Sequence, residues 1–277
     1  MQGNQRGWQL AAGDPVALRL AADVRQFQTD YADDHIWSLV LGQGDAPALV
    51  LETRYGGRCG LARLVPMWVV DGRVIYEASA YAGPPTVQVF WPSYLRLTAR
   101  PTSSLSLQVE YWAMESHAVG GQVTFRNESD RPVTAGLDLV AQFMTEREAG
   151  EVDVLRLSNG QFALHMRDVG NLQPIILMQA AADSDGSGSK LSARVAVPPG
   201  EGAVLRWVHA ARPAMSDSLV LAHHWLYNED WNVHLQQLQD INATTPIIET
   251  GDRDRDAAIA FSYKVSLGSF VGPTSHL

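Results

Sequence analysis

The sequence predicts a mainly β chain: a large antiparallel β-sandwich that gives way to helix near its end. Three observations carry this. From about residue 16 to 212, short segments alternate apolar and polar residues with period two and are rich in Val, Leu, Tyr and Trp. Gly, Pro, Asp and Asn separate them, as turn chemistry requires. No helical spacer long enough for a parallel crossover lies between them, which excludes a doubly wound α/β sheet.

In chain order the expected strands are IWSLVLG, ALVLETR, LVPMWVV, RVIYEA, TVQVFW, YLRLTA, LSLQVEYWAM, GGQVTFRN, VTAGLDLVAQFM, VDVLRL, FALHM, PIILMQA, LSARVAV and AVLRWVHAA. Two connections read as hairpins. In GGQVTFRN-ESDR-PVTAGLDLVAQF, Val123 and Phe125 keep parity with Val133, Ala135, Leu137 and Leu139 across a turn. In KLSARVAVPPGEGAVLRWVHAA, a Pro-Pro-Gly-Glu-Gly link joins two alternating strands. The stretch AADSDGSGSK (181–190) reads as an exposed loop, because small polar residues cannot bury a core.

The period changes after Pro213. Trp231, Leu235, Leu238 and Ile241 fall on one face of an amphipathic helix. Pro246 then forces an extended link. Thr250 or Asp252 caps a further helix with Asp252, Asp254 and Asp256 at its start and Ala257, Phe261 and Val265 on one face, and Gly268, Gly272 and Pro273 end it. The expected division is a β-sandwich over 1–212, a helical linker over 213–250 and the start of a helical domain over 251–277.

Charge and composition exclude several classes of function. The formal net charge is −9 and no basic stripe exists, which argues against nucleic acid or an anionic membrane as partner. The single cysteine, Cys59, rules out an intrachain disulfide. No signal-like segment and no run of about 18 apolar residues is present, so a cytoplasmic location is expected. The sequon at Asn127 reads as turn chemistry between strands rather than a glycosylation acceptor.

The chemistry-bearing residues mostly have plain structural readings. Asp252, Asp254 and Asp256 suit a helix N-terminus and lack the rest of a calcium loop. His223, His224 and His234 are not spaced to share a metal, and no metal or cofactor is expected. Cys59 has no histidine motif that would mark it as a nucleophile, and YGGRCG is not a phosphate loop. Tryptophans such as Trp91 and Trp112 could serve as sugar-stacking platforms, but alternation in VQVFW and LQVEYWAM suits the core.

The order of elements is more informative. NESDRPVTAGLDLVAQF, VPPGEGAVLRWVHAARP, WLYNEDWNVHLQQL and IIETGDRDRDAAIAFSYKVSLGSF together resemble the N-terminal part of two-domain glycosidases with a six-hairpin, (α/α)6 barrel, the glucoamylase-, maltose-phosphorylase- and cellobiose-phosphorylase-like enzymes. The resemblance implies a galactose-mutarotase-like supersandwich, a linker and the first barrel helix. It also implies a domain that supports a sugar site without catalysing alone, since the family's paired carboxylates lie on later barrel loops.

The partners so implied are an oligosaccharide and a C-terminal barrel domain, with a homodimer left open. Around the exit of the last helix, Ser262, Tyr263, Pro273, Thr274, Ser275 and His276 would form the edge of a sugar site, with Tyr263, Ser275 and His276 as substrate-binding residues. The alternative is a free-standing carbohydrate-binding or mutarotase-like sandwich. It needs a Glu and a His as acid and base, and the nominated pairs are Glu110 with His117 and Glu146 with His165.

Overall fold

The computed structural model describes residues 7–14, 18–20, 36–145, 148–167, 169–181 and 189–267. In chain order the strands are β1 (Leu18–Leu20), β2 (Trp37–Leu41), β3 (Leu49–Thr53), β4 (Leu61–Val70), β5 (Arg73–Ile75), β6 (Gly83–Trp91), β7 (Tyr94–Thr102) and β8 (Leu105–Glu115). They continue with β9 (Ala118–Asn127), β10 (Val133–Met144), β11 (Val152–Arg156), β12 (Phe162–Met166), β13 (Gln173–Met178), β14 (Lys190–Val197) and β15 (Gly202–Arg212). Three α-helices follow: α1 (Met215–His223), α2 (Trp231–Ala243) and α3 (Arg253–Leu267).

Among the described residues the strands form two antiparallel sheets. One runs β1-β2-β3-β4-β10-β14 with β5 paired to β4, and the other runs β11-β12-β13-β15-β9-β8-β7-β6. The sequence alternation is the physical cause of the sandwich. On β8, Leu105, Leu107, Val109 and Tyr111 enter the core between the sheets, joined by Val123 and Phe125 of β9 and by Leu137 and Leu139 of β10. Asp71 and Gly72, both at positive φ, make the tight β4–β5 turn, the Asp-Gly hairpin signature.

Two connections differ from the sequence expectation. β9 pairs with β8 and β15, while β10 pairs with β4 and β14, so ESDR is an arch from one sheet to the other rather than a hairpin. β14 and β15 likewise lie in different sheets, and PPGEG is the second arch. Shared parity cannot separate the two cases, because both sheets of a sandwich present an apolar inner face.

Asn127 locks the arches together. Its Nδ2 donates to the Arg131 carbonyl at 2.7 Å and the Val197 carbonyl at 2.9 Å, and its Oδ1 accepts from the backbone N–H of Ser129 at 2.9 Å. The side chain is fully buried with its amide spent on these bonds, which leaves no access for a glycan.

The linker is two helices, not one. α1 passes through a π-helical turn at His224–Asn228 and breaks at Glu229, after which Asp230 caps α2 by accepting from the N–H of Asn232 at 2.9 Å. The Trp231 stripe forms as expected and also includes buried His234. α1 and α2 cover part of the outer face of the eight-stranded sheet, where Trp112 and Trp231 meet edge to face with centroids 5.0 Å apart. Trp91 and Trp112 are both buried, so neither offers a face to a sugar.

On α3, Asp252 is the cap, accepting from the N–H groups of Asp254 and Arg255 at 3.0 and 3.2 Å. Asp256 Oδ1 accepts from the Thr250 N–H and hydroxyl, both at 2.7 Å. The buried face of the helix runs through Asp256, Ala257 and Lys264, whereas Val265 is exposed, a correction to the expected stripe. The loop reading for 181–190 falls mostly on 182–188, outside the described residues.

Candidate functional site

Outward parity on β7, β8, β9 and β15 lays side chains in rungs across the eight-stranded sheet. One rung holds Tyr94, Trp112, Gly120 and Val208, and the helices cover it. The next holds Arg96, Glu110, Gln122 and Arg206; beyond it come Thr98, Gln108, Thr124 and Val204. The face therefore changes from an apolar seat for helices to a polar shelf within about 7 Å, two residues of strand.

The charged rung is closely wired. Glu110 is 5% exposed, and its two oxygens accept from the Tyr94 hydroxyl at 2.6 Å and from Gln122 Nε2 at 3.0 Å. Arg206 Nε donates to Gln122 Oε1 at 2.7 Å, and its guanidinium lies over the Trp231 ring, 4.9 Å from the centroid. Burial, followed by the Glu110 charge, pushes the Tyr94 hydroxyl far above its usual range, so it remains a donor.

Past this rung lies an open groove of about 620 Å3, lined by Gly83, Pro84, Thr86, Thr98, Arg100, Ser106, Gln108, Thr124 and Arg126 among others. Its lining offers hydroxyls, an amide and two guanidinium groups. None of these is an activated nucleophile or a paired acid and base. Sequence reasoning missed the shelf, although the polar residues at every outward position of LTAR, LSLQ and VTFR were its signal.

The nominated acid–base pairs do not come together in the described structure. Glu110 lies mid-strand and His117 follows the far end of β8, so their backbones are roughly 15 Å apart along the strand. His165 is buried, with its Nε2 2.8 Å from Gln173 Oε1, and Glu146 is outside the described residues.

Of the expected sugar-edge residues, Tyr263 is half-buried on α3, and the Ser262 hydroxyl donates back to the Ala258 carbonyl at 2.8 Å. Pro273, Thr274, Ser275 and His276 lie outside the described residues. Cys59 is buried, and burial raises its thiol to about 11, which suits an inert side chain.

The YGGRCG segment has a structural role. Tyr55, Gly56 and Gly57 take successive positive φ of 48°, 64° and 89°, a turn that drives the Tyr55 ring into the core. There its hydroxyl lies 2.8 Å from His209 Nε2 and donates to Met166 Sδ at 3.4 Å, and both Tyr55 and His209 are fully buried. Burial lowers His209 to about 3, which keeps the imidazole neutral. Among the described residues no group of three or more His, Cys, Asp or Glu is placed to hold a metal ion, and no helix is long and apolar enough to cross a membrane.

The fold and this face define a large two-sheet antiparallel sandwich with a polar shelf on one sheet. No protein-family model matches the chain, and no curated protein matches it. Solved structures similar to it include a polysaccharide lyase (TM-score 0.42, 10% identity, 67% of this chain and 33% of that one). A protein assigned as a kojibiose phosphorylase from the human microbiome has TM-score 0.42 and 8% identity, over 94% of this chain and 39% of that one. A galactose-mutarotase-related enzyme from Lactobacillus acidophilus has TM-score 0.42 and 6% identity, over 70% of this chain and 97% of that one. The chain spans 33% and 39% of the length of the first two.

Proposed function

We propose that this chain is the supporting β-domain of a carbohydrate-active enzyme of the glycoside hydrolase or phosphorylase kind, shaping a sugar site without catalysing by itself. The observation that carries the reading is the polar shelf. Thr98, Ser106, Gln108 and Thr124 with Arg100 and Arg126 present the alternating donors and acceptors that suit sugar hydroxyls, in a groove without an acid–base pair. Exposed Val220, Val233, Ile247, Ile248 and Val265 on and between the helices fit the further proposal that a helical barrel domain packs there.

The test is an incubation with α- and β-linked oligosaccharides, with and without phosphate, followed by binding measurements on a glycan array. The expected result is no turnover and weak binding that falls at least severalfold in a Gln108→Ala, Thr124→Ala double variant. Robust turnover by the chain alone would sink the reading. Glycan binding that the double variant leaves unchanged would remove the shelf from it.

A further inference from the structure

The chain contains two lysines, Lys190 and Lys264, against nineteen arginines (21 basic residues less two). Lys190 is ion-paired to Asp138 at 3.7 Å. Lys264 is different: it is 4% exposed, and among the described residues its Nζ has no hydrogen-bond partner. An ammonium carries three donors, and burying it unpaired is costly, so the site favours the neutral amine.

The side chain lies beneath α3 at a cavity of about 60 Å3 walled by Trp8, Trp91 and Pro92 of the sandwich and by Ile247 and Ile248 of the linker. The Phe90 ring stands 5.7 Å from Nζ. Among the described residues, the titratable lining residue besides Lys264 is Asp256, two helical turns away, whose Oδ1 is engaged by Thr250. Among the described residues the sandwich and linker walls contribute no charged side chain to the lining. We infer that this cavity is a carbonyl-binding site in which the Lys264 amine takes a short aliphatic aldehyde, or the aldehyde end of a longer molecule, as a Schiff base.

Size and reactivity set the ligand class. A cavity of about 60 Å3 is small, which favours an aldehyde of a few heavy atoms over a closed sugar ring. Burial lowers Lys264 to about 7, so a large fraction is nucleophilic at neutral pH, as in lysines activated by a hydrophobic pocket. The nitrogen lone pair attacks the carbonyl carbon, and the proton moves from nitrogen to oxygen to give a carbinolamine. Loss of water then leaves the C=N bond. The step involves no oxidation or reduction, and one water is released.

The test uses the full chain, propionaldehyde and cyanoborohydride at pH 7, which fixes any imine as a secondary amine that peptide mass spectrometry assigns to Lys190, Lys264 or the terminal amine. The expected result is labelling of Lys264 roughly tenfold or more faster than Lys190, since an ordinary lysine is almost wholly protonated at that pH. The Lys264 rate should rise through a midpoint near pH 7 and saturate above it. A Lys264→Arg variant should lose that label and keep the slow labelling elsewhere. Labelling of Lys264 no faster than Lys190, or a rate that climbs without a midpoint up to pH 9, would overturn the inference.

Discussion

Gly120 and Trp231 meet face to ring on the eight-stranded sheet: a Cβ on Gly120 would stand 2.9 Å from Cη2 of Trp231 and 2.3 Å from the Met114 methyl. Its neighbour Gly121 faces the core, where a Cβ would stand 2.3 Å from the Trp207 indole. The Gly-Gly pair thus makes room for one tryptophan on each side of the sheet. Gly121→Ala is expected to cost about 1–3 kcal/mol by overpacking a rigid ring, read as a lowered urea midpoint. Gly120→Ala should act more locally, and limited proteolysis within α1 and α2 would report it.

The Tyr55–His209 pair sets an acid limit on the fold. His209 stays neutral in the folded chain down to about pH 3, whereas the unfolded histidine takes a proton near 6.5. Its folded value is depressed, so its contribution is fully kept above about 6.5 and is lost as pH falls from there towards 3. The loss should approach 1.4 kcal/mol per pH unit inside that window. A His209→Gln variant should show a shallower fall in thermal midpoint between pH 6.5 and 4 than the parent; identical slopes would contradict this.

Lys264 makes the opposite end of the pH scale informative. Its folded value near 7 lies below the ordinary 10.5, so the folded chain should gain stability as pH rises from about 7 to 10. Lys264→Met removes the unpaired amine and keeps most of the length of the side chain. It is expected to raise the urea midpoint at pH 7, with the advantage shrinking by pH 10.

Asn127→Ala takes from the buried Val197 carbonyl its side-chain donor and leaves the Arg131 carbonyl with the Ser129 hydroxyl alone. The lost buried bond costs on the order of 1–3 kcal/mol, and a loss in that range is expected in chemical denaturation. A change below about 0.5 kcal/mol would show that the arches do not depend on this side chain.

Most strands were legible because an apolar inner face leaves a period-two record, although the short β1 was passed over. β10 and β12 begin and end where VTAGLDLVAQFM and FALHM do. Pairing was less legible, since Val123 and Val133 share parity whether their strands are neighbours or face each other across the core. Asp71-Gly72 was a readable hairpin signal that the sequence reading passed over. The polar shelf was written at outward positions, but only strand order shows that Gln108 stands between Thr98 and Thr124. Lys264 could not be found from sequence, because its burial depends on how α3 lies against Trp8 and Phe90, residues far away in the chain.

The arches carry a consequence for the order of assembly. Because β9 hands the chain to the opposite sheet and β14 hands it back, neither sheet can be completed by zipping successive neighbours alone. Val70 must find Ala135, and Arg126 must find Gly202, before either sheet is continuous. Such non-local closure makes folding slow, on the order of milliseconds to seconds or longer. Until it is complete, β9 lacks β15 on one side and β10 lacks β4 and β14, and such unpaired strand edges are where a chain of this kind is prone to aggregate.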